Sequence, residues 1–305
     1  MRLAFDSRPV SDPRGIGRYA SCLLEALRET GGDHEIVETH RPRRVDVFHS
    51  PWIDGALLRP AVAQVVTLHD LVPLKRHSEY LRSGVRFRMR YLAVQRAARL
   101  IVPSAVVADD AVEHLGFDRA RIVVIREAPA AALHQRGEDE IAAARERYAL
   151  PEAYLVWVGG LQTPDPRKRV AALARAPREL PLVLVGATKP WAHELPDVTL
   201  TGHVSDDELA AILSGARALV FPSDDEGFGL PTVEALACGT PVVASDLPVL
   251  REVLGDRATF VEPDDLEAML AAGAAATRPA PAPPVWTWQD AARATWDVYE
   301  DALRR

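Results

Sequence analysis

Ala218-Leu219-Val220-Phe221-Pro222-Ser223-Asp224-Asp225-Glu226-Gly227-Phe228-Gly229-Leu230-Pro231-Thr232-Val233-Glu234 carries more architectural information than any other stretch of this chain. It opens on a short apolar run, Ala218–Pro222, that reads as a buried strand. It ends in a helix through Thr232–Ala237, with Pro231 in the first turn, where the missing N–H costs nothing. Between them, Gly227 and Gly229 allow close backbone approach, and the exposed amides of a helix start form an anion site suited to a diphosphate. Glu226 and Glu234 stand eight positions apart. Glu226 stays on the loop, while Glu234 lies about one turn into the helix and can point back along it. An acidic residue there can take two ribose hydroxyls, as in dinucleotide sites.

Working outward, short β-branched runs alternate with alanine- and leucine-rich stretches of helical period. Six candidate strands precede the midpoint: Arg2–Phe5, Glu35–Thr39, Asp46–His49, Val65–His69, Leu100–Pro103 and Ile122–Ile125. Six follow it: Tyr154–Val158, Leu182–Val185, Val198–Thr201, Ala218–Pro222, Thr240–Ala244 and Thr259–Val261. Strand alternating with helix predicts parallel α/β sheets, and twelve strands suit two doubly wound Rossmann-like domains of six. The expected divisions are 1–150, 151–285 and a last helix, 286–305, carrying Trp286, Trp288, Trp296 and Tyr299 beyond the proline-rich Arg278–Pro284. So long a linker implies that this helix travels some distance before docking.

The bulk numbers fit that division. Residues 1–150 hold 23 Lys+Arg against 20 Asp+Glu, net +3, and residues 151–305 hold 13 against 23, net -10. Two halves of opposite sign suggest different tasks. No run approaches the ~18 apolar residues of a membrane span, so a cytoplasmic protein is expected. Cys22 and Cys238 sit in apolar helical patterns and read as buried thiols. Asp224-Asp225-Glu226 superficially suggests a metal motif, but its glycine-rich continuation into a helix does not, and no metal, cofactor or nucleic-acid partner is expected.

The segment from Glu226 to Val243 resembles the donor-site signature of glycosyltransferase family 4. The resemblance extends upstream through Gly202-His203-Val204-Ser205-Asp206-Asp207-Glu208-Leu209 and downstream through the Trp-containing terminal helix. It implies the GT-B architecture, two facing domains with a cleft between them, and a metal-independent, retaining enzyme using nucleotide sugars. It also implies roles. Glu226 touches sugar hydroxyls, Glu234 binds the ribose, the backbone around Phe228, Gly229 and Leu230 contacts sugar and phosphate, and the loop carrying His203 and Val204 lies against the base. The terminal helix crosses back to the N-terminal domain.

Three further motifs join this set. Asp165-Pro166-Arg167-Lys168-Arg169 places cations where charge grows on a leaving diphosphate. The family uses a lysine at the place of Lys168, with an arginine shortly before it. Here that arginine is replaced by Gly160, so Arg167 or Arg169 is expected to compensate. Val65-Val66-Thr67-Leu68-His69-Asp70 ends a strand in a polar pair, where functional residues of parallel sheets gather. The resemblance puts His69 against the transferred sugar, and Asp70 caps the next turn. Gly15-Ile16-Gly17-Arg18-Tyr19-Ala20 matches a dinucleotide fingerprint, with Glu38 at the matching distance, but Ser7–Arg14 separates it from the strand. The family instead has a glycine-rich loop here that closes over diphosphate and acceptor, so Gly15 and Gly17 are expected at the donor, with Arg8 and Arg18 near anionic groups.

A basic stretch, Lys75–Arg99, has Arg82, Arg86 and Arg90 every four residues. It suggests either a solvated face or peripheral contact with anionic lipid at the inner membrane face. The expected activity is transfer of a hexose, with the Gly15–Tyr19 and His69–Leu71 pattern leaning to mannose, from a nucleotide sugar to a glycan or lipid-linked acceptor. A non-catalytic nucleotide-sugar sensor and a sugar-nucleotide epimerase on the same architecture are the alternatives.

Overall fold

The computed structural model describes residues 1–12, 15–75 and 84–304. Two compact units make up the chain: Met1–Glu127 with Trp286–Arg305, and Ala128–Val285.

The first unit holds strands β1 (Arg2–Phe5), β2 (Glu35–Glu38), β3 (Val47–Ser50), β4 (Ala63–Thr67), β5 (Arg99–Val102) and β6 (Ile122–Val124). All pair in parallel, in the order β2-β1-β3-β4-β5-β6. Its helices are α1 (Gly15–Thr30), α2 (Val72–Lys75), α3 (Gly84–Val94) and α4 (Ala105–Leu115). Ser104 accepts from the Val107 amide to start α4, and Gly116, at φ 61°, ends it. The β3 and β5 side chains are wholly buried, as central parallel strands require.

The second unit begins with α5 (Glu138–Tyr148) and holds β7 (Leu155–Val158), α6 (Val170–Arg175), β8 (Leu182–Val185), β9 (Val198–Gly202), α7 (Asp206–Gly215) and β10 (Ala218–Phe221). It continues through α8 (Leu230–Ala237), β11 (Val242–Ser245), α9 (Pro248–Leu254), β12 (Thr259–Val261) and α10 (Leu266–Ala275). Its six strands are again parallel, ordered β12-β11-β10-β7-β8-β9. One face of the sheet, with Leu155, Trp157, Leu184 and Val220, packs on Leu173 of α6 and on Met269 and Leu270 of α10. The division from the first unit falls at Glu127 and not near residue 150. The charged helix α5 packs on α7 and so belongs with the second sheet.

The last helix, α11 (Trp288–Leu303), packs lengthwise on α1 and also touches β3 and β4. A capping box fixes its start, with the Thr287 hydroxyl accepting from the Asp290 amide while Asp290 accepts from Thr287. Trp288, Trp296 and Tyr299 are buried, each contributing about 2–3 kcal/mol of apolar burial. Polar ties are also present. Trp296 Nε1 donates to Thr30 Oγ1 at 3.2 Å, and the buried Arg99 donates to Asp301.

The Gly15–Tyr19 segment is the first turn of α1 and not a loop. A Cβ on Gly17 would stand 1.8 Å from the Asp12 carbonyl oxygen, so this glycine lets the helix start lie against the turn before it. Around Gly15 there is open space. Glu38 pairs with Arg28 at the surface. Of the basic stripe, Arg82 lies outside the described residues, as does the side chain of Arg86, and Arg90 pairs with Asp54 at 2.7 Å. Among the described residues no helix is long and apolar enough to cross a membrane.

Candidate active site

In the second sheet the chain runs outward from β7 to β8 and β9, then returns to place β10 on the other side of β7. The loops leaving β7 and β10 therefore part company, and such a switch point opens a crevice at the carboxyl ends of the strands. Lys168 comes from the first of these loops and Glu226 from the second, and they meet: the Lys168 ammonium donates to Glu226 Oε1. It also stands 5.3 Å from the centre of the Phe221 ring. The Asp224 amide donates to the Arg167 carbonyl at 2.9 Å, stitching the two loops together.

The Lys168 loop is shaped by its own residues. Asp165 accepts from the Arg167 amide at 3.2 Å and starts a 3-10 turn over Pro166–Lys168; Arg169, at φ 52°, then turns the chain into α6. Glu226 is 9% exposed, and burial alone would raise its carboxyl. The charges of Lys168 and Arg167, together with hydrogen bonds from Lys168 and Ser223, outweigh burial and hold it below the usual carboxylate range. Arg167 thus bears on the same site, although its Nε also bonds Asp165 at 2.8 Å. Arg169 is turned away, donating to Asp264 at 2.7 Å and to the Pro263 carbonyl. Between the two arginines, Arg167 is the one whose charge bears on Glu226.

Helix α8 begins at Gly229, whose φ of 84° and lack of a Cβ are both required: a Cβ would lie 2.7 Å from Leu250 Cδ2. Thr232 Oγ1 donates to the Gly229 carbonyl at 2.7 Å and tightens the turn. Phe228, Gly229 and Leu230 are buried at this start, and Glu234, 3% exposed, follows on the helix. His203 is exposed and Val204 buried just past β9, at the same end of the same sheet. A pocket of about 500 Å³ lined by Trp157, Leu161, Pro164, Lys168, Val170 and Trp191 opens beside the Lys168 loop.

In the first unit the switch point lies between β1 and β3. It is filled by a cluster in which the sequence motifs pointed only to Arg8. Buried Asp6, directly after β1, accepts from Arg8 Nε at 2.7 Å, Arg8 Nη2 at 2.6 Å and Trp52 Nε1 at 3.1 Å. Burial opposes its charge, yet these bonds hold its pKa below the ordinary value. Arg8 stays half-exposed with a fixed orientation. An acid ending a buried strand was the available signal, the same one that singled out His69.

His69 follows β4, with Nε2 2.9 Å from the Pro51 carbonyl oxygen and Nδ1 3.2 Å from Glu127 Oε1. Asp70 accepts from the Val72 amide at 3.3 Å, as a turn cap. Tyr19, from α1, stands perpendicular to the His69 ring, the centroids 4.5 Å apart. Beneath lies a second histidine that sequence did not single out. His49 Nδ1 meets the Tyr299 hydroxyl at 2.6 Å, and its Nε2 meets Thr67 Oγ1 at 2.9 Å. Burial pushes the His49 pKa down to about 3, so it is a neutral link between β3, β4 and α11.

Two parallel, doubly wound Rossmann-like units define the GT-B architecture, and the second carries a paired lysine and glutamate beside a glycine-opened helix. Residues 39–127 match the family model described as Glycosyltransferase Family 4, and residues 152–276 match that described as Glycosyl transferases group 1. The D-inositol 3-phosphate glycosyltransferase of Streptomyces bingchenggensis is 30% identical, over 87% of this chain and 68% of that one. The O-antigen chain mannosyltransferase RfbU of Salmonella typhimurium is 31% identical, over 66% of this chain and 57% of that protein. Among solved structures, HepE of Anabaena in complex with UDP-glucose superposes with a TM-score of 0.68 at 16% identity, covering 100% of this chain and 94% of that one. The chain belongs to glycosyltransferase family 4. It spans 27% to 63% of the length of five mannosyltransferases that it matches.

Proposed function

We propose that this protein is a retaining hexosyltransferase that moves a hexose, with mannose favoured, from a nucleoside diphosphate sugar to a sugar or lipid-linked acceptor without a metal ion. The observation that carries the proposal is the Lys168–Glu226 pair, built from the two loops that diverge at a switch point and set beside the start of α8. Several relatives are named as mannosyltransferases, which supports the sugar.

Under this proposal the diphosphate lies at the amides of Phe228, Gly229 and Leu230, and Glu234 takes the ribose hydroxyls. His203 and Val204 adjoin the base. Lys168 and Arg167 neutralise the charge that grows as the bond from the anomeric carbon to the diphosphate oxygen breaks. The acceptor oxygen bonds that carbon on the same face, and the departing phosphate takes the acceptor proton. Glu226 then positions the sugar and is not a nucleophile. Donor binding must release the Lys168–Glu226 pair, so both groups exchange a partner in the protein for partners on the donor. Gly17 acts through the α1 start that it shapes, and Gly15 leaves open space there.

The test is incubation with radiolabelled GDP-mannose, UDP-glucose and ADP-glucose, each with and without EDTA and a glycan or lipid-linked acceptor. Transfer that survives EDTA, with NMR showing the anomeric configuration kept, is the expected result. Binding of a nucleotide sugar with neither transfer nor hydrolysis would instead identify a sensor.

A further inference from the structure

Both ring nitrogens of His69 are engaged by the protein. Nε2 faces the Pro51 carbonyl oxygen at 2.9 Å, and a carbonyl only accepts, so Nε2 carries a hydrogen. Nδ1 faces Glu127 Oε1 at 3.2 Å, where a nitrogen lone pair would oppose a carboxylate, so a second proton belongs in that contact. The side chains are sheltered, His69 being 17% exposed and Glu127 6%. Tyr19 stands against the ring, and its own hydroxyl is held by Thr67 Oγ1 at 2.9 Å. Nothing in this arrangement leaves His69 an open acceptor site.

We infer that Glu127 is a positioning residue which, with the Pro51 carbonyl, holds His69 as an oriented imidazolium, so that His69 offers the reaction a fixed positive charge and not a base. The last clause rests on the proposed transferase activity; the protonation and the clamp do not. Besides Glu127, three titratable groups bear on the ring. Asp70 favours its charged form, His49 is kept neutral by burial, and the Tyr19 phenol is raised by burial and stays protonated. Burial disfavours the imidazolium, but the bond to and charge of Glu127, with Pro51 and Asp70, outweigh it and raise the His69 pKa.

The chemistry is consistent with the transfer step. An imidazolium with both protons engaged removes none from the acceptor, which leaves that proton to the departing phosphate. Glu127 is also the residue at which the chain leaves the first unit. Sequence gave no hint of it, because Glu127 and His69 lie 58 residues apart and meet only at the carboxyl end of the sheet, across β5, which stands between β4 and β6.

Nitrogen-15 NMR on the full chain tests the inference, with the His69 signal among the nine histidines assigned by its loss in His69→Gln. In the wild type, His69 should keep an imidazolium pattern above pH ~6.5, where ordinary histidines lose it. Glu127→Gln removes the negative charge opposite Nδ1 and should lower the titration midpoint by at least about one pH unit, tenfold in proton affinity. Glu127→Asp should restore part of that shift. In kinetics, Glu127→Gln should lower kcat at least about tenfold, move the alkaline limb to lower pH and leave nucleoside diphosphate affinity within about threefold.

A wild-type His69 already neutral at pH ~6.5 overturns the inference, even if no Glu127 variant folds. An unchanged midpoint in folded Glu127→Gln overturns it as well, whatever the change in stability. A lowered midpoint with unaltered turnover upholds the clamp and removes the part in the reaction that the resemblance implies for His69. A shifted midpoint in a chain that transfers no sugar upholds the clamp and rejects the proposed function.

Discussion

Lys168 and Glu226 compensate one another in a place where neither charge is well hydrated, and that makes their substitutions unequal. Lys168→Ala leaves a buried carboxylate without its ammonium and should cost about 3 kcal/mol of stability. Adding Glu226→Gln should restore most of that in urea unfolding. Turnover should not recover: Lys168→Ala is expected to cost about 2–4 kcal/mol in kcat/KM, with Lys168→Arg recovering part. Arg167→Ala should impair turnover and Arg169→Ala should not, since Arg169 is tied to Asp264. Equal activity for Lys168→Ala and the wild type would place the diphosphate elsewhere. Glu234→Ala should weaken nucleoside diphosphate binding by about 1–3 kcal/mol in calorimetry.

At the scale of the element, Gly15 and Gly17 separate two meanings of one motif. Gly17→Ala must push apart the α1 start and the turn at Asp12, and should destabilise by about 1–3 kcal/mol. Gly15→Ala meets open space and should be neutral or stabilising by up to about 1 kcal/mol. Urea midpoints of the two variants decide; similar values would mean that the α1 start is not packed as described. The docking of α11 is sensitive to acid through His49. Its folded pKa of about 3 lies below the ordinary value, so below pH ~6.5 the unfolded chain takes a proton that the folded one refuses. Stability is therefore lost as pH falls from ~6.5 toward 3, at up to about 1.4 kcal/mol per pH unit. His69 has the opposite sign: its raised pKa contributes stability below ~6.5 that is lost as pH rises through the folded value. Unfolding free energies between pH 7 and 4 should fall less steeply for His49→Asn than for the wild type. Parallel curves would mean that His49 does not stay neutral in the folded chain.

The whole molecule is two units with separate sheets and separate cores, and one helix, α11, that belongs by sequence to the end and by packing to the beginning. Calorimetry should accordingly resolve two transitions. A nucleoside diphosphate at 100 times its Kd should stabilise the unit holding α8 by about 2.7 kcal/mol by mass action. Trp296→Ala, which opens the α1–α11 contact, should lower the other transition by about 3–5 kcal/mol equivalent. A nucleotide that raises the transition lowered by Trp296→Ala would put the donor in the wrong unit.

The fold class was legible because it depends on local signals: twelve apolar runs set the strands, and the pattern from Ala218 to Glu234 set the strand–loop–helix from β10 into α8. The start of α8 follows from chain-local rules of glycine and proline. Tertiary structure alone decided three things. Where the first unit ends depends on α5 packing against α7, which its charged sequence does not announce. That the charge of Arg167, with that of Lys168, bears on Glu226 while Arg169 is turned away depends on one left-handed residue and on Asp264, 95 positions from Arg169. And the proton state of His69 depends on a carbonyl and a carboxylate brought from two other strand ends. Periodicity records which way a side chain faces relative to its own element; it carries no record of what another element brings to meet it.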